Sequence, residues 1–146
     1  LAHYEDMVVC ARAEYEREGF CLYTVLADGE VAGFTGAHRW LNDWGPVEDI
    51  ELAWRLGCAF WGEGIATRAA QQVMGELAEA GHQQVFAVIH ARNRASVAVA
   101  QRLGMHQRSN YEARVNGLTL PITEWGTDLY HREQNPSQHR YNDDSS

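Results

Sequence analysis

The chain has 146 residues, 45% of them hydrophobic and 22% charged, with a formal net charge of −8. These figures fit one globular domain with a core of its own; no apolar run reaches membrane-spanning length, and no basic-then-apolar leader opens the chain. The acidic surplus argues against nucleic acid as a partner, because a polyanion needs a basic surface, and it suits a cationic substrate such as an amine as readily as plain solubility.

His3–Glu18 places Met7, Val8, Ala11 and Tyr15 at helical spacing, and Gly19 follows as a stop. Phe20–Leu26 and Glu30–His38 read as strands joined through Ala27, Asp28 and Gly29, a β-hairpin. Arg39–Asp49 holds Trp40, Trp44, Gly45 and Pro46 and reads as a loop, its tryptophans either packed on the core or lining a binding surface. Ile50–Leu56 alternates apolar residues with Glu51, Ala53 and Arg55, the pattern of a strand with one buried face. After it, Gly62 and Gly64 bracket Glu63 in a tight turn, and Ile65, Ala69, Val73 and Leu77 fall one helical turn apart until Gly81 can cap the helix. Val85–Ile89 is a continuous apolar run, expected of a strand buried on both faces and parallel to the strand before the helix. Asn93 is a good N-cap for a helix carrying Val97, Val99, Ala100 and Leu103, which Gly104 ends. Strands over Gln107–Val115 and Leu120–Tyr130 follow, turned by Asn116 and Gly117. Residues 1–133 are thus expected to form one domain and 134–146 a polar tail; a start at Leu1 rather than Met leaves room for a segment upstream.

Chemistry concentrates in Leu56–Ala80. A strand feeding a Gly-x-Gly turn that opens a helix leaves backbone N–H groups unpaired, and the helix N-terminus adds partial positive charge. Glycines let that backbone approach an anion closely, so the turn can hold the pyrophosphate of a nucleotide-like cofactor, although an ordinary turn uses the same residues. The three cysteines, Cys10, Cys21 and Cys58, are an odd number without close spacing, which argues against a disulfide framework and for a reducing, cytoplasmic compartment.

The string E-L-A-W-R-L, then F-W-G-E-G-I-A-T, a helix, an apolar strand and N-R-A-S-V-A-V-A-Q-R-L-G-M resembles the GNAT superfamily of N-acetyltransferases, most of all the branch of ribosomal-protein N-terminal acetyltransferases. The likeness covers about Phe20–Tyr130, with its specific part in Glu51–Met105. The resemblance implies an α/β (α+β) fold: a mixed, mostly antiparallel central sheet with one parallel, splayed strand pair and flanking helices. It also implies acetyl-CoA as co-substrate. Backbone groups of Trp54, Arg55 and Leu56 would pair with its pantetheine arm, the N–H groups of Gly62, Glu63, Gly64, Ile65, Ala66 and Thr67 would hold its pyrophosphate, and Asn93 and Ser96 would line the pantetheine. A capping role explains Asn93 and Ser96 equally well. The family's usual first strand and helix are only partly matched before the hairpin. Three positions depart from the family pattern: Ala59 stands where Arg or Gln is frequent, Arg68 stands where this branch often has Glu, and Ala100 stands where many members place the Tyr that protonates the leaving thiolate. The acid would then be Ser96, another hydroxyl or water.

Acetyl transfer to an amine requires a proton to leave the ammonium and hydrogen-bond donors for charge developing on the acyl oxygen. Glu51, on the strand leading to the splay, is the first candidate base; His90, at the end of the second splayed strand, and Glu124 follow. A covalent route through Cys58 lacks a histidine near it in sequence. The acceptor would be a protein N-terminus or a small amine such as a polyamine or aminoglycoside, and nothing in the sequence opposes a homodimer. No metal is called for. Two further functions fit the residues: a non-catalytic acyl-CoA-binding sensor or scaffold, which the Ala59 and Ala100 departures favour, and an unrelated nucleotide-binding domain, which the absence of a Gly-Lys-Ser/Thr ending and of a third dinucleotide glycine disfavours.

Overall fold

The computed structural model describes residues 12–129. Residues 12–18 are helical (α1), and the start of the helix expected from His3 lies outside the described residues, as do Tyr130 and the polar tail. Gly19 ends α1 with a φ of 81°, its N–H donating to Tyr15 O at 2.8 Å. The hairpin follows as β1, Leu22–Ala27, and β2, Glu30–Arg39. Its turn places Asp28 and Gly29 at φ 53° and 80°, the two left-handed residues that a tight hairpin with native strand twist requires. Phe20 and Cys21, expected in the first strand, precede it. Both are buried, with Phe20 edge-on to His82 at 5.5 Å and Cys21 O accepting from Ala37 N.

Loop 40–49 leads into β3, Ile50–Leu56, which runs antiparallel to β2 from Arg39↔Ile50 to Gly33↔Leu56. A short 3-10 turn, Cys58–Phe60, which the sequence pattern does not announce, precedes the glycine turn and α2, Ile65–Glu79. Gly81, at φ 93°, terminates that helix as its position suggests. Then come β4, Gln84–His90, α3, Arg94–Arg102, β5, His106–Val115, and β6, Leu118–Asp128. Among the described residues, six strands form one sheet in the order β1-β2-β3-β4-β6-β5, in which β3 and β4 are parallel and the other neighbours antiparallel. The fold is therefore the mixed α/β sheet with a single parallel pair expected from the sequence.

Ile50 and Leu52 of β3 and Val85, Ala87 and Ile89 of β4 join Val73, Met74 and Leu77 of α2 and Val99 and Ala100 of α3 in one core. Expected to be buried on both faces, β4 is in fact buried on the helix-covered face and half-buried at Phe86, Val88 and His90 on the other. That second face carries no α2 or α3, and it is where alternation puts Glu51, His38 and Glu124.

Candidate active site

The parallel pair is a fork. Its ladder consists of one register pair, Glu51↔Phe86, after which β3 and β4 part. Parting leaves backbone groups on both inner edges to be satisfied in other ways. One of them is Val88 N–H, which donates to Glu51 Oε2 at 3.0 Å, so a side chain stands in for a missing ladder bond. The other carboxylate oxygen, Glu51 Oε1, lies 2.5 Å from Nε2 of His38, its cross-strand partner on β2. Glu51 is almost wholly buried, whereas the His38 side chain keeps 31% of its exposure. The hydrogen bond to Glu51 raises the His38 pKa above the ordinary histidine value; burial opposes this, and the charges of Glu51 and Glu14 add to it.

Loop 40–49 arches over the same face. Trp40 donates its indole N–H to Trp44 O, and the rings of Trp40 and Trp44 meet at 5.1 Å. The Trp44 ring in turn lies 5.7 Å from Tyr111 of β5, four places along the sheet from the strand that feeds the loop. Tyr111 Oη donates at 2.8 Å to Glu124, a buried carboxylate on β6 whose register partner on β4 is Val88. Burial and that bond push the tyrosine pKa up. Two buried carboxylates thus flank Val88 beneath an aromatic arch.

On the helix side of the fork lies a cleft of about 1230 Å³, floored by Trp54–Leu56 and walled by the glycine turn, the start of α2 and one side of α3. Gly62 and Gly64 both take the left-handed backbone, at φ 83° and 73°, which residues with a Cβ rarely adopt. Gly64 is the N-cap of α2 and offers no side chain to its first N–H groups, which are thus left without a capping partner beside the cleft, the kind of helix start that suits an anion. Arg68 is exposed but tethered across the turn: Nη1 donates to Glu63 O at 2.9 Å. Its charge therefore sits beside the cradle, where Ala59 supplies none. Two polar atoms in the cleft lining, Trp54 Nε1 and Thr67 Oγ1, are buried without a hydrogen-bond partner. Such orphans are rare in folded proteins and suit a ligand that brings the missing partner.

The cleft brings together every cofactor-binding residue expected from the sequence except Glu63, which the turn places beside it, exposed to solvent. Asn93 caps α3, accepting from Ser96 N at 3.1 Å through Oδ1, and both residues also line the cleft. Ala100 is fully buried, so a tyrosine could not stand there without displacing the core; Ser96, half-buried, is the hydroxyl that α3 offers. His90 is half-buried and accepts from Arg92 N through Nδ1, bracing the turn after β4. Cys58 is a free, exposed thiol on the 3-10 turn. Sequence inspection missed His38 and the Trp44–Tyr111 contact. The first could have been found by pairing the hairpin-like strands 30–38 and 50–56, which sets His38 opposite Glu51; the second has no local signal.

A forked parallel pair with a glycine-turn cradle on one face and two buried carboxylates on the other is the arrangement of a transferase domain of the acyl-CoA-binding kind. Residues 2–106 match the family model of the acetyltransferase (GNAT) domain. The chain belongs to that family of acetyltransferases, whose acyl donor is acetyl-CoA. A Bordetella pertussis protein named as a GnaT-family acetyltransferase shares 25% identity over 80% of this chain and 72% of its own, with a TM-score of 0.68. RimL, the ribosomal L7/L12 alpha-N-protein acetyltransferase, shares the fold at 21% identity, covering 84% of this chain and 77% of its own, with a TM-score of 0.69. So does the microcin C7 self-immunity acetyltransferase MccE, solved with acetyl-CoA and AMP, at 17% identity over 84% and 68% of the two chains and a TM-score of 0.71. Among the described residues no helix is long and apolar enough to cross a membrane.

Proposed function

We propose that this chain transfers an acetyl group from acetyl-CoA directly to a primary amine, and that the fork is where the two substrates meet. The observation that carries this is the separation of chemistries across one sheet: a phosphate cradle and uncapped helix N-terminus on the helix side, two buried carboxylates under an aromatic arch on the other. Acetyl-CoA supplies the acyl group already activated as a thioester. The N–H groups of Gly62 to Thr67 bind its diphosphate, helped by the Arg68 guanidinium, and the unpaired edge of Trp54, Arg55 and Leu56 binds the pantetheine as an added strand would. Thr67, Asn93 and Ser96 give it polar contacts, and Ser96 stands nearest in role to an acid for the departing thiol. Glu51 is the carboxylate of the proton-removing centre, and His90 lines the approach to it. The arch and the acids Glu51 and Glu124 select a cation, which favours an amine acceptor. Likeness to RimL supports a protein N-terminus over a small amine, and a cytoplasmic setting suits either.

The test is calorimetric titration of acetyl-CoA into the wild type and the Gly62→Asp/Gly64→Asp variant, followed by turnover with peptide, polyamine and aminoglycoside amines. Micromolar binding, about −8 kcal/mol, should be seen for the wild type and lost in the variant, whose carboxylates and strained backbone spoil the cradle. No binding by folded wild type would end this assignment.

A further inference from the structure

We propose that His38 is the residue that takes the proton from the acceptor amine, and that Glu51 stands behind it as its orienting carboxylate. This rests on the acetyl-transfer function proposed above and names the base within it. Burial decides between the two members of the pair. Glu51 is almost wholly buried and has both oxygens engaged, one with Val88 N–H and one with His38 Nε2. An acceptor arriving from solvent meets the imidazole first, since it keeps 31% of its side-chain exposure on the same face. Anchored to β4 through Val88 N–H, Glu51 cannot swing out without leaving a partly buried backbone donor unpaired. What remains for it is the part a buried carboxylate plays behind a histidine: fixing the ring's orientation and stabilising the imidazolium once formed.

The proton balance is complete with groups on the page. The acceptor ammonium gives a proton to the His38 ring nitrogen not bonded to Glu51, which frees its lone pair to form the N–C bond as the C–S bond breaks; the thiolate takes a proton from Ser96 or water, and the second proton lost by the nitrogen restores that group through water. His38 then releases its proton to solvent on its exposed side. The groups that face the ring are Glu51 from β3 and Glu14 from α1, both acidic, together with the neighbouring Arg39 backbone and the Trp40 ring at 6.5 Å. Both acids favour the imidazolium, so the ring reaches its neutral, proton-accepting form only above the ordinary histidine range.

The experiment pairs kinetics with imidazole NMR on the full chain, using acetyl-CoA and whichever of spermidine, kanamycin or a free N-terminal peptide is turned over. In the wild type, kcat/KM should rise with pH along a limb whose midpoint matches the His38 NMR titration. His38→Gln keeps a donor near Glu51 but cannot titrate. It should lose that limb and at least about a hundredfold in kcat, the usual lower range for a missing base, while binding acetyl-CoA as the wild type does. Glu51→Gln should move the NMR midpoint and the limb down together. Full kcat with an unchanged limb in His38→Gln, or an NMR midpoint indifferent to Glu51→Gln, overturns the assignment of His38 alone. Absence of turnover with every amine by wild type that binds acetyl-CoA overturns the proposed function and this inference with it.

Discussion

Thr67 shows how a single atom distinguishes a site from a packing position. Its hydroxyl is buried on the first turn of α2 with no partner, in the wall of the cleft. An unpaired buried hydroxyl lowers stability, so replacing it with the same-shaped valine should not destabilise the free protein and can stabilise it slightly. If the hydroxyl serves acetyl-CoA, Thr67→Val should weaken binding by about 1 kcal/mol, roughly fivefold in Kd. Thermal melts and calorimetry check both halves; a variant that melts lower and binds unchanged would mean that the hydroxyl has a structural partner instead. At this scale the sequence exposes residue types but not their pairings. Glu51 reads as a charge on the open face of an alternating strand, and His38 as any strand-end histidine, until the β2–β3 register sets the two opposite each other. Arg68 likewise needs the left-handed turn before its reach back to Glu63 O can be seen.

Elements were more legible than their packing. β3, α2, β4 and the two hairpin turns follow from alternation, helical spacing and paired turn residues, because those signals are local. Loop 40–49 was legible only as a loop. Backbone bonds such as Glu48 N–H to Trp40 O close it locally, and Trp44 also meets Tyr111, a contact between residues far apart in sequence that no periodicity announces. The 3-10 turn at Cys58–Phe60 escaped for a similar reason: three residues are too few to show a period. The arch yields its own prediction. Trp44→Ala removes the link from loop to β5 without touching the cleft on the helix side. The acceptor KM should rise on the order of tenfold, within the range seen when an aromatic contact residue is truncated, while the acetyl-CoA Kd stays as it was. Steady-state kinetics on both substrates would decide it; an effect confined to acetyl-CoA would place the acceptor elsewhere.

For the whole molecule, the fork ties the reaction centre to folding. Three strands, β2, β3 and β4, converge on the Glu51 carboxylate, so the charge state of His38 acts on the sheet as well as on the acceptor. The His38 pKa is raised in the folded state, mainly through its bond to Glu51. The folded protein therefore holds this proton more tightly than the unfolded chain does, and stability falls as pH rises across the interval where only the folded form keeps it. The contribution is fully present below the unfolded histidine value of about 6.5 and is lost as pH climbs through the raised folded value. Activity should run the other way, because the same ring accepts a proton only after losing its own. Melting temperatures of the wild type and His38→Gln, measured at intervals from acid to mildly alkaline pH, should converge as pH rises, the wild type giving up an advantage that the variant never had. Parallel curves would show that the His38–Glu51 bond carries no proton-linked stability and would remove the physical basis for the raised pKa. Convergence, set beside a rate that climbs over the same interval, would show one proton serving first to hold the fork closed at its base and then, once released, to leave the ring ready for the amine.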